Sequence, residues 1–471
     1  MNGSDQSSRA TASQAYDAII IGTGQASPAL AGRLAQAGMK VAVIERKLVG
    51  GTCVNVGCTP TKAMVASAYV ARQAARAAEY GLELPVPPRV DLRAVCRRVH
   101  QIVQNSRSGL EEWLQGMENC TLIRGHARFE GPRQVRVDDR LLSADRIFIN
   151  VGARAVVPDS LAAKDLPCLT SSDMLSLHEV PRHLVVIGGS YVGLEFAQIY
   201  RRFGAAVTVI ERGSRLVGRE DAEVSDQIRS ILEAEGIVVE LDARDMQLLP
   251  HADGVAVRVG AADGLSREIS GSHVLVATGR RPNTDDLSLD RAGIATDKVG
   301  YITVDDELRT NVEGVWALGD CNGRGAFTHT SYNDFEIVAA NLLDGASRSL
   351  RDRIPAYALY IDPPLGRVGM TVAQARAAGC RVRVGVRPMT RVARAIEKGE
   401  TQGSMRIVVD AETEEILGAA ILGPGGDEAV HQVLAAMAAG GSYRRLQQTM
   451  AIHPTVSELV PTLLGELSDP E

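Results

Sequence analysis

The sequence predicts an α/β fold of several domains, and three observations predict it. At 471 residues the chain is long enough for two to four domains, and it combines 45% hydrophobic content and 46 glycines with only 4% aromatics. That balance suits many tight turns between strands and helices. Two stretches resemble each other at a distance: residues 16–45, YDAIIIGTGQASPALAGRLAQAGMKVAVIE, and residues 183–211, HLVVIGGSYVGLEFAQIYRRFGAAVTVIE. From about residue 351 the pattern shifts to strand-like runs (RVRVGV, MRIVVD, ILGAAIL), followed by helices from residue 427. Together these imply two Rossmann-like dinucleotide-binding domains and a distinct C-terminal α+β domain.

Each of the two similar stretches reads as an apolar β-branched strand, a Gly-rich turn, an amphipathic helix and a second strand ending in Glu. In the first, Gly22, Gly24 and Ser27 fill the three small-residue positions of a dinucleotide fingerprint. The first Gly permits a tight turn, the second lets backbone approach a pyrophosphate, and the helix that follows offers N–H donors and a positive dipole. Ser27 in place of the usual third Gly predicts slightly looser helix–strand packing. Glu45 ends the second strand where an acid would bind ribose hydroxyls. In the second stretch the loop is Gly188, Gly189, Ser190 and Gly193, and Glu211 closes the strand. A carboxylate there favours a free 2′-hydroxyl, so NADH is expected over NADPH, with Arg212 and Arg215 close enough to serve a 2′-phosphate instead.

Between these stretches, residues 63–82 and 91–118 carry long helical patterns separated by LPVPPRV, and residues 121–151 alternate apolar and polar residues as short strands do. Further on, SHVLVATGRRPNT and GVWALGDCNG each place an apolar run before a Gly, and residues 332–345 look helical.

GGTCVNVGCTPTKAM, residues 50–64, is the most specific signal in the chain. A disulfide needs Cα atoms roughly 4.4–6.8 Å apart, whereas five residues of regular helix rise about 7.5 Å. The segment from Cys53 to Cys58 must therefore bend, which Gly57 permits, and Pro60 suits the first turn of a following helix. Cys58 then sits near a helix N-terminus, where the dipole favours a thiolate. A structural disulfide or a metal half-site are the plainer readings. Zinc would need further ligands at similar spacing, and none is found, so no metal site is expected.

Composition excludes several classes. A net charge of −6 without a long basic run gives no sign of a nucleic-acid partner. No stretch approaches the ~18 apolar residues of a membrane helix. The opening MNGSDQSSRATASQ lacks the apolar core of a secretory signal, and Asp5 with a single Arg suits a transit peptide poorly. Seven cysteines, five of them scattered (Cys96, Cys120, Cys168, Cys321, Cys380), do not form a secreted disulfide framework. A cytoplasmic chain with one redox-active pair is the expectation.

The stretch around Cys53 and Cys58 resembles the active site of the family that contains dihydrolipoamide dehydrogenase, glutathione reductase and mercuric reductase, and the similarity runs over roughly residues 16–465. The resemblance implies that the first βαβ unit binds FAD and the second NAD(P)H. It implies that Cys58 is the flavin-proximal thiol and Cys53 the interchange thiol that attacks substrate. Lys62 matches the lysine near flavin N5, Glu195 in SYVGLE its carboxylate partner, and Tyr191 the aromatic that gates the nicotinamide pocket. Gly51 and Thr52 ahead of the thiols, Gly279 in ATGRRPN, and Gly319 with Asp320 in ALGDC match further cofactor-binding positions; Asp320 matches the acid that bonds the ribityl chain. HPTVSE supplies His453 and Glu458. Taken alone, a His–Pro pair is more often a surface turn; in the family this motif lies in the dimerisation domain, and its histidine handles protons for the partner subunit's disulfide. A homodimer is thereby implied.

The implied domains are a flexible N-terminus (1–15), a flavin domain in two parts (16–150 and 280–350), an NAD(P)H domain (151–279) and a dimerisation domain (351–471). GGTCVNVGCTPTK looks most similar to the mercuric reductase branch, yet no Cys follows Cys380 and no N-terminal CxxC module is present, which argues against a dedicated mercuric reductase. AFTHTSYNDFEIVAANLL resembles a mercuric-reductase-like subgroup that includes copper(II)-reducing flavoproteins. The expected activity is transfer of reducing equivalents from NAD(P)H through FAD and the cysteine pair to a small disulfide or a soft metal ion. Dihydrolipoamide dehydrogenase is the alternative, since HPTVSE and Glu211 fit it as well; the glutathione reductase reading is weaker, since this chain shows no clear arginine set for the glutathione carboxylates. From another class, the chain could be a non-catalytic redox-switch flavoprotein, which would need neither Lys62, Glu195 nor the His453–Glu458 pair.

Overall fold

The computed structural model describes residues 13–162, 166, 168–260 and 266–469. Residues 1–12 of the N-terminal segment expected to be flexible lie outside the described residues. Gln14–Ala15, at its end, form a short strand paired in parallel with Leu142 and Ser143. The chain divides into two compact units: residues up to Pro60 with His100–Ala155 and Gly279–Arg353, and Thr61–Val99 with Val156–Thr278 and the chain from Ile354.

In the first unit, Ala18–Ile21 is apolar, Val41–Glu45 is apolar up to its closing Glu45, and both are buried at every position, as strands covered on both faces must be. They lie inside a five-stranded parallel sheet whose order is Val315–Ala317, Arg146–Ile149, Ala18–Ile21, Val41–Glu45, Cys120–Arg124. The helix Ser27–Gln36 starts with Pro28 in its first turn, where a missing N–H costs nothing. Its Leu30, Ala31, Leu34 and Ala35 share one face, which packs into a core with Ile20, Val43, Phe148, Phe335 and Val338. Burying side chains of this size stabilises the unit by roughly 1.5–3 kcal/mol each. Thus the sheet fixes where the turn after Ala18–Ile21 emerges.

The second unit repeats the arrangement with a parallel sheet ordered Cys168–Leu169, His273–Val276, His183–Ile187, Ala206–Ile210, Val238–Glu240. Arg244–His251, Gly254–Gly260 and Ser266–Gly271 add a three-stranded antiparallel sheet. From residue 354 a five-stranded antiparallel sheet follows, ordered Ala356–Leu359, Leu365–Gly369, Ile416–Leu422, Ser404–Asp410, Val382–Pro388. The helix Gly426–Ala439 packs Val430 and Val433 into the same core as Met405, Ile407 and Ile421. Residues 61–99, expected with the first flavin part, cluster instead with this unit. The reason is local: Tyr69 and Gln73 both donate to Glu400 at 3.1 Å, and the Cys96 thiol to Leu177 O at 3.2 Å.

His183 and His273 stand on neighbouring strands of the second parallel sheet, and burial holds both imidazoles below the usual histidine range. A depressed folded pKa means that the unfolded chain takes up protons which the fold refuses. Their contribution is therefore present above the ordinary histidine pKa of about 6.5 and is lost as pH falls through it. We expect the melting temperature to fall less between about pH 7.5 and about pH 5.5 in a His183→Gln/His273→Gln variant than in the parent chain. Equal falls would remove these histidines from the account.

Candidate active site

The first Gly-rich turn leaves the strand Ala18–Ile21 at Gly22 (φ 95°) and enters the helix Ser27–Gln36, which has Ala26 at its N-cap and makes no side-chain cap bond. The Ser27 N–H is spent on Gly24 O at 3.0 Å and Pro28 has none, so the helix dipole and the remaining N–H groups of the turn are what this end offers a phosphate. Ser27 is fully buried and its hydroxyl donates to Asn150 Oδ1 at 3.0 Å, so the looser packing expected from a serine is not found. Asn150 itself was missed by sequence reasoning. Its Nδ2 donates to Leu318 O at 2.8 Å and Ser331 Oγ at 3.3 Å, tying the turn to the segment around Gly319. Only the polar residue closing the apolar run RIFIN signals it.

Glu45 closes its strand as expected. One carboxylate oxygen accepts from the Thr23 N–H at 3.1 Å and hydroxyl at 2.5 Å, and the other from the Lys47 N–H at 2.7 Å. A carboxylate has about four acceptor positions, so capacity remains for a ribose hydroxyl. In the same unit the Gly319 N–H (φ 72°) donates to Asp334 at 2.7 Å. Burial pushes the neighbouring Asp320 carboxyl up, against the pull of Arg280 at 3.5 Å, a cost that a hydroxyl-bearing ligand would relieve. Gly279 (φ 145°) precedes the strand Arg280–Pro282. An uncapped helix start, a spare carboxylate and a desolvated acid in one unit fit FAD.

The cysteine segment bends at Gly57, as its sequence predicts. Cys53 lies in the helix Gly51–Val56, and Gly57 (φ −131°, ψ −115°) breaks it. Cys58 then opens the 18-residue helix Cys58–Ala75. A Cβ at residue 57 would stand 2.9 Å from Thr52 O, so only glycine fits without a shift. Asn55 Nδ2 donates to Val49 O and Gly51 O, both at 2.9 Å, and fastens the bend. Gly51 packs close to Gly24, which sets the start of the cysteine helix against the first turn. Both cysteines are half-buried. The Cys58 sulfur is 2.9 Å from the hydroxyl of Thr328, first residue of the helix Thr328–Leu343. Thr328 was also missed, although it lies in the quoted AFTHTSY segment; a hydroxyl at a helix start has no sequence mark of its own.

Lys62 follows Cys58 by about one turn of the same helix. Its ammonium donates to both Glu195 oxygens, at 2.8 and 3.0 Å, and lies 4.6 Å from the centre of the Tyr360 ring. The Tyr360 N–H donates to Glu195 at 3.1 Å, so Tyr360 orients both members of the pair, a role that the sequence did not disclose.

The second Gly-rich turn carries Gly188 and Ser190 into the helix Tyr191–Phe203, again with no side-chain cap bond. Gly193 lets the helix lie against the turn, since a Cβ there would meet Gly188 O at 2.0 Å. Glu211 bridges two loops, accepting the Gly189 N–H at 2.6 Å and the Gly213 N–H at 2.7 Å. A cleft of about 740 Å³ opens here, lined by Gly188, Ser190, Glu211, Arg212, Arg244 and Thr278 among others. That volume lies within the range of cofactor sites and fits a pyridine nucleotide. Arg244, distant in sequence, lines the cleft beside Arg212, whereas Arg215 is not among its lining residues.

His453 and Glu458 meet as anticipated, Nδ1 standing 2.9 and 3.1 Å from the carboxylate oxygens. The histidine side chain is 73% exposed while that of Glu458 is 10% exposed, so a largely covered acid holds an imidazole that faces outward. The structure thus places the cysteine pair, Glu45 and Asp320 in the first unit, and Lys62–Glu195, the second turn and His453–Glu458 in the second.

Residues 16–334 match the family Pyridine nucleotide-disulphide oxidoreductase, and residues 355–464 match its dimerisation domain. The probable pyridine nucleotide-disulfide oxidoreductase RclA of Escherichia coli is 35% identical over 459 residues, 96% of this chain and 99% of that one. A dihydrolipoyl dehydrogenase of Thermus scotoductus is 35% identical over 449 residues, covering 94% and 95% of the two chains. Among solved structures, the Cu(II) complex of HOCl-induced flavoprotein disulfide reductase RclA from Escherichia coli matches with a TM-score of 0.87 at 34% identity, over 96% of this chain and 99% of that one.

Proposed function

The chain belongs to the pyridine nucleotide-disulphide oxidoreductase family, as an FAD-dependent enzyme of that class, and on that premise we propose that it uses NADH to reduce a soft metal ion or small disulfide at Cys53 and Cys58, with Cu(II) the first candidate. The observation that carries the reading is the bend at Gly57, which places Cys53 ahead of a helix that Cys58 opens beside Thr328. Kinship with RclA over nearly the whole of both chains, one solved structure of which is a Cu(II) complex, supports the choice of metal.

When bound, FAD supplies the two-electron relay between a nicotinamide and a disulfide. The rest falls to this chain's residues. The turns at Gly22–Ser27 and Gly188–Gly193 hold pyrophosphates, and Glu45, Asp320 and Glu211 take hydroxyls. Glu211 supports NADH over NADPH, because a 2′-phosphate beside its carboxylate is repelled. The helix start and the Thr328 hydroxyl favour a thiolate at Cys58. The Cys53 thiolate attacks a substrate disulfide, releasing one thiol, and Cys58 then displaces the other and closes the Cys53–Cys58 disulfide. His453, contributed by a second copy and oriented by Glu458, passes the protons. The dimerisation-domain match supports that homodimer, and so do Met450 (98% exposed) and Ile452 (80% exposed) beside the histidine. With a disulfide the balance is NADH + H⁺ + RSSR → NAD⁺ + 2 RSH. With copper it is NADH + 2 Cu(II) → NAD⁺ + 2 Cu(I) + H⁺, and thiolates suit Cu(I) as soft ligands. Cysteine usage supports a cytoplasmic setting.

The test is turnover of the purified holoenzyme with NADH and with NADPH across Cu(II), Hg(II), low-molecular-weight disulfides, and dihydrolipoamide with NAD⁺. We expect NADH-driven Cu(II) reduction to have the highest kcat/KM. A dominant dihydrolipoamide activity would establish the second reading, which the His453–Glu458 geometry also supports.

A further inference from the structure

The most deeply buried charges of the second unit form a chain of contacts that ends on Tyr191. Arg367, in the strand Leu365–Gly369, has a side chain 1% exposed; it faces Glu220 (0%) and Asp221 (5%). Its Nε and Nη2 donate to one Glu220 oxygen at 2.9 and 2.5 Å, and Nη2 also reaches Asp221 at 3.2 Å. Asp221 is held from its other oxygen by the Val372 N–H at 3.0 Å. The second Glu220 oxygen accepts the hydroxyl of Tyr357. The Tyr357 ring in turn meets the Tyr191 ring edge to face, with centroids 5.4 Å apart at 78°.

Each link fixes the next. Two Arg367 nitrogens hold the same Glu220 oxygen, which fixes that oxygen and leaves the other directed at Tyr357. Glu220 then sets the direction of the Tyr357 hydroxyl, and with it the rotation of the ring that bounds Tyr191. Buried ion sets of this kind seldom add stability over apolar side chains of equal volume, so holding a neighbouring group in one geometry is the more informative role. Of these residues, only Tyr191 belongs to a motif that the redox reaction uses.

We propose that Tyr357, anchored by Glu220 and Arg367, is a positioning residue for nicotinamide binding, setting where the Tyr191 ring stands when the nucleotide enters. This rests on the reading of Tyr191 as the residue at the nicotinamide pocket. Tyr357→Phe tests it, because the ring and its packing stay while the hydroxyl's contacts with Glu220 and Tyr191 go. NAD⁺ binding to the oxidised holoenzyme is measured by calorimetry, beside the melting temperature and the rate of flavin bleaching by NADH. We expect Tyr357→Phe to weaken NAD⁺ binding about fivefold, the size of one neutral hydrogen bond, and to raise the NADH concentration for half-maximal bleaching by a like factor. In a Tyr191→Ala background the same substitution should change neither, since its route to the nucleotide is gone. An equal effect in both backgrounds, or a fall in melting temperature with unchanged binding, overturns the proposal. If Tyr191→Ala alone leaves NAD⁺ binding unchanged, the reading of Tyr191 fails and the proposal with it; if Tyr191→Ala weakens binding and Tyr357→Phe does not, only the proposal fails.

Discussion

Cys53→Ser is expected to lower NADH-dependent turnover of any disulfide or soft metal substrate by about a thousandfold or more, while NADH still bleaches the bound flavin at close to the parent rate. The loss is large because a serine hydroxyl is not ionised near neutral pH and neither attacks sulfur nor binds Cu(I) as a thiolate does. The bleaching survives because the second Gly-rich turn and the Lys62–Glu195 pair, which serve the nucleotide half of the reaction, contain nothing from residue 53. Asn55 and Gly57 still fasten the bend, so the substitution leaves the local fold in place. Stopped-flow absorbance resolves the first half-reaction and steady-state assays the whole. Full turnover in the variant would falsify a mechanism through the cysteine pair.

What could be read from the sequence was what is local or periodic. Ala18–Ile21 is apolar throughout, His183–Ile187 is apolar after its opening His183, both are followed by glycine turns, and such strands have few alternatives to a parallel sheet. Cys53, Gly57 and Cys58 lie within one bend, and His453 and Glu458 within one turn, so their spacing already held their geometry. Lys62 and Glu195 are 133 residues apart, and only resemblance to a family paired them. The remainder depends on tertiary contact between residues with no local signature. Thr328 touches Cys58 from 270 positions away. Asn150 gathers Ser27, Leu318 and Ser331 from three segments. Arg367 sits in a stretch, LGRVG, that reads as an ordinary strand with one exposed position, whereas the fold buries that side chain against acids 146 and 147 positions earlier. A buried charge and a surface charge look alike until its partners are placed.

That burial makes Arg367 the site of the largest expected stability loss. Exposed pairs such as Arg229–Glu233, with side chains 44% and 41% exposed, stay hydrated when broken, and their loss costs little. Arg367→Met keeps most of the volume but strands Glu220 and Asp221 in a site that excludes water, at a cost of about 3–5 kcal/mol for an uncompensated buried charge. The loss should persist in high salt, because screening reaches buried pairs poorly. If the stranded charge is the cause, removing it restores part of the loss: Arg367→Met/Glu220→Gln should be more stable than Arg367→Met alone, although it deletes one more native group. Calorimetric melting of the parent, the single and the double variant at low and high salt distinguishes the causes. A double variant less stable than the single one would mean that the loss comes from the missing arginine's packing and hydrogen bonds, and that the acids tolerate their isolation.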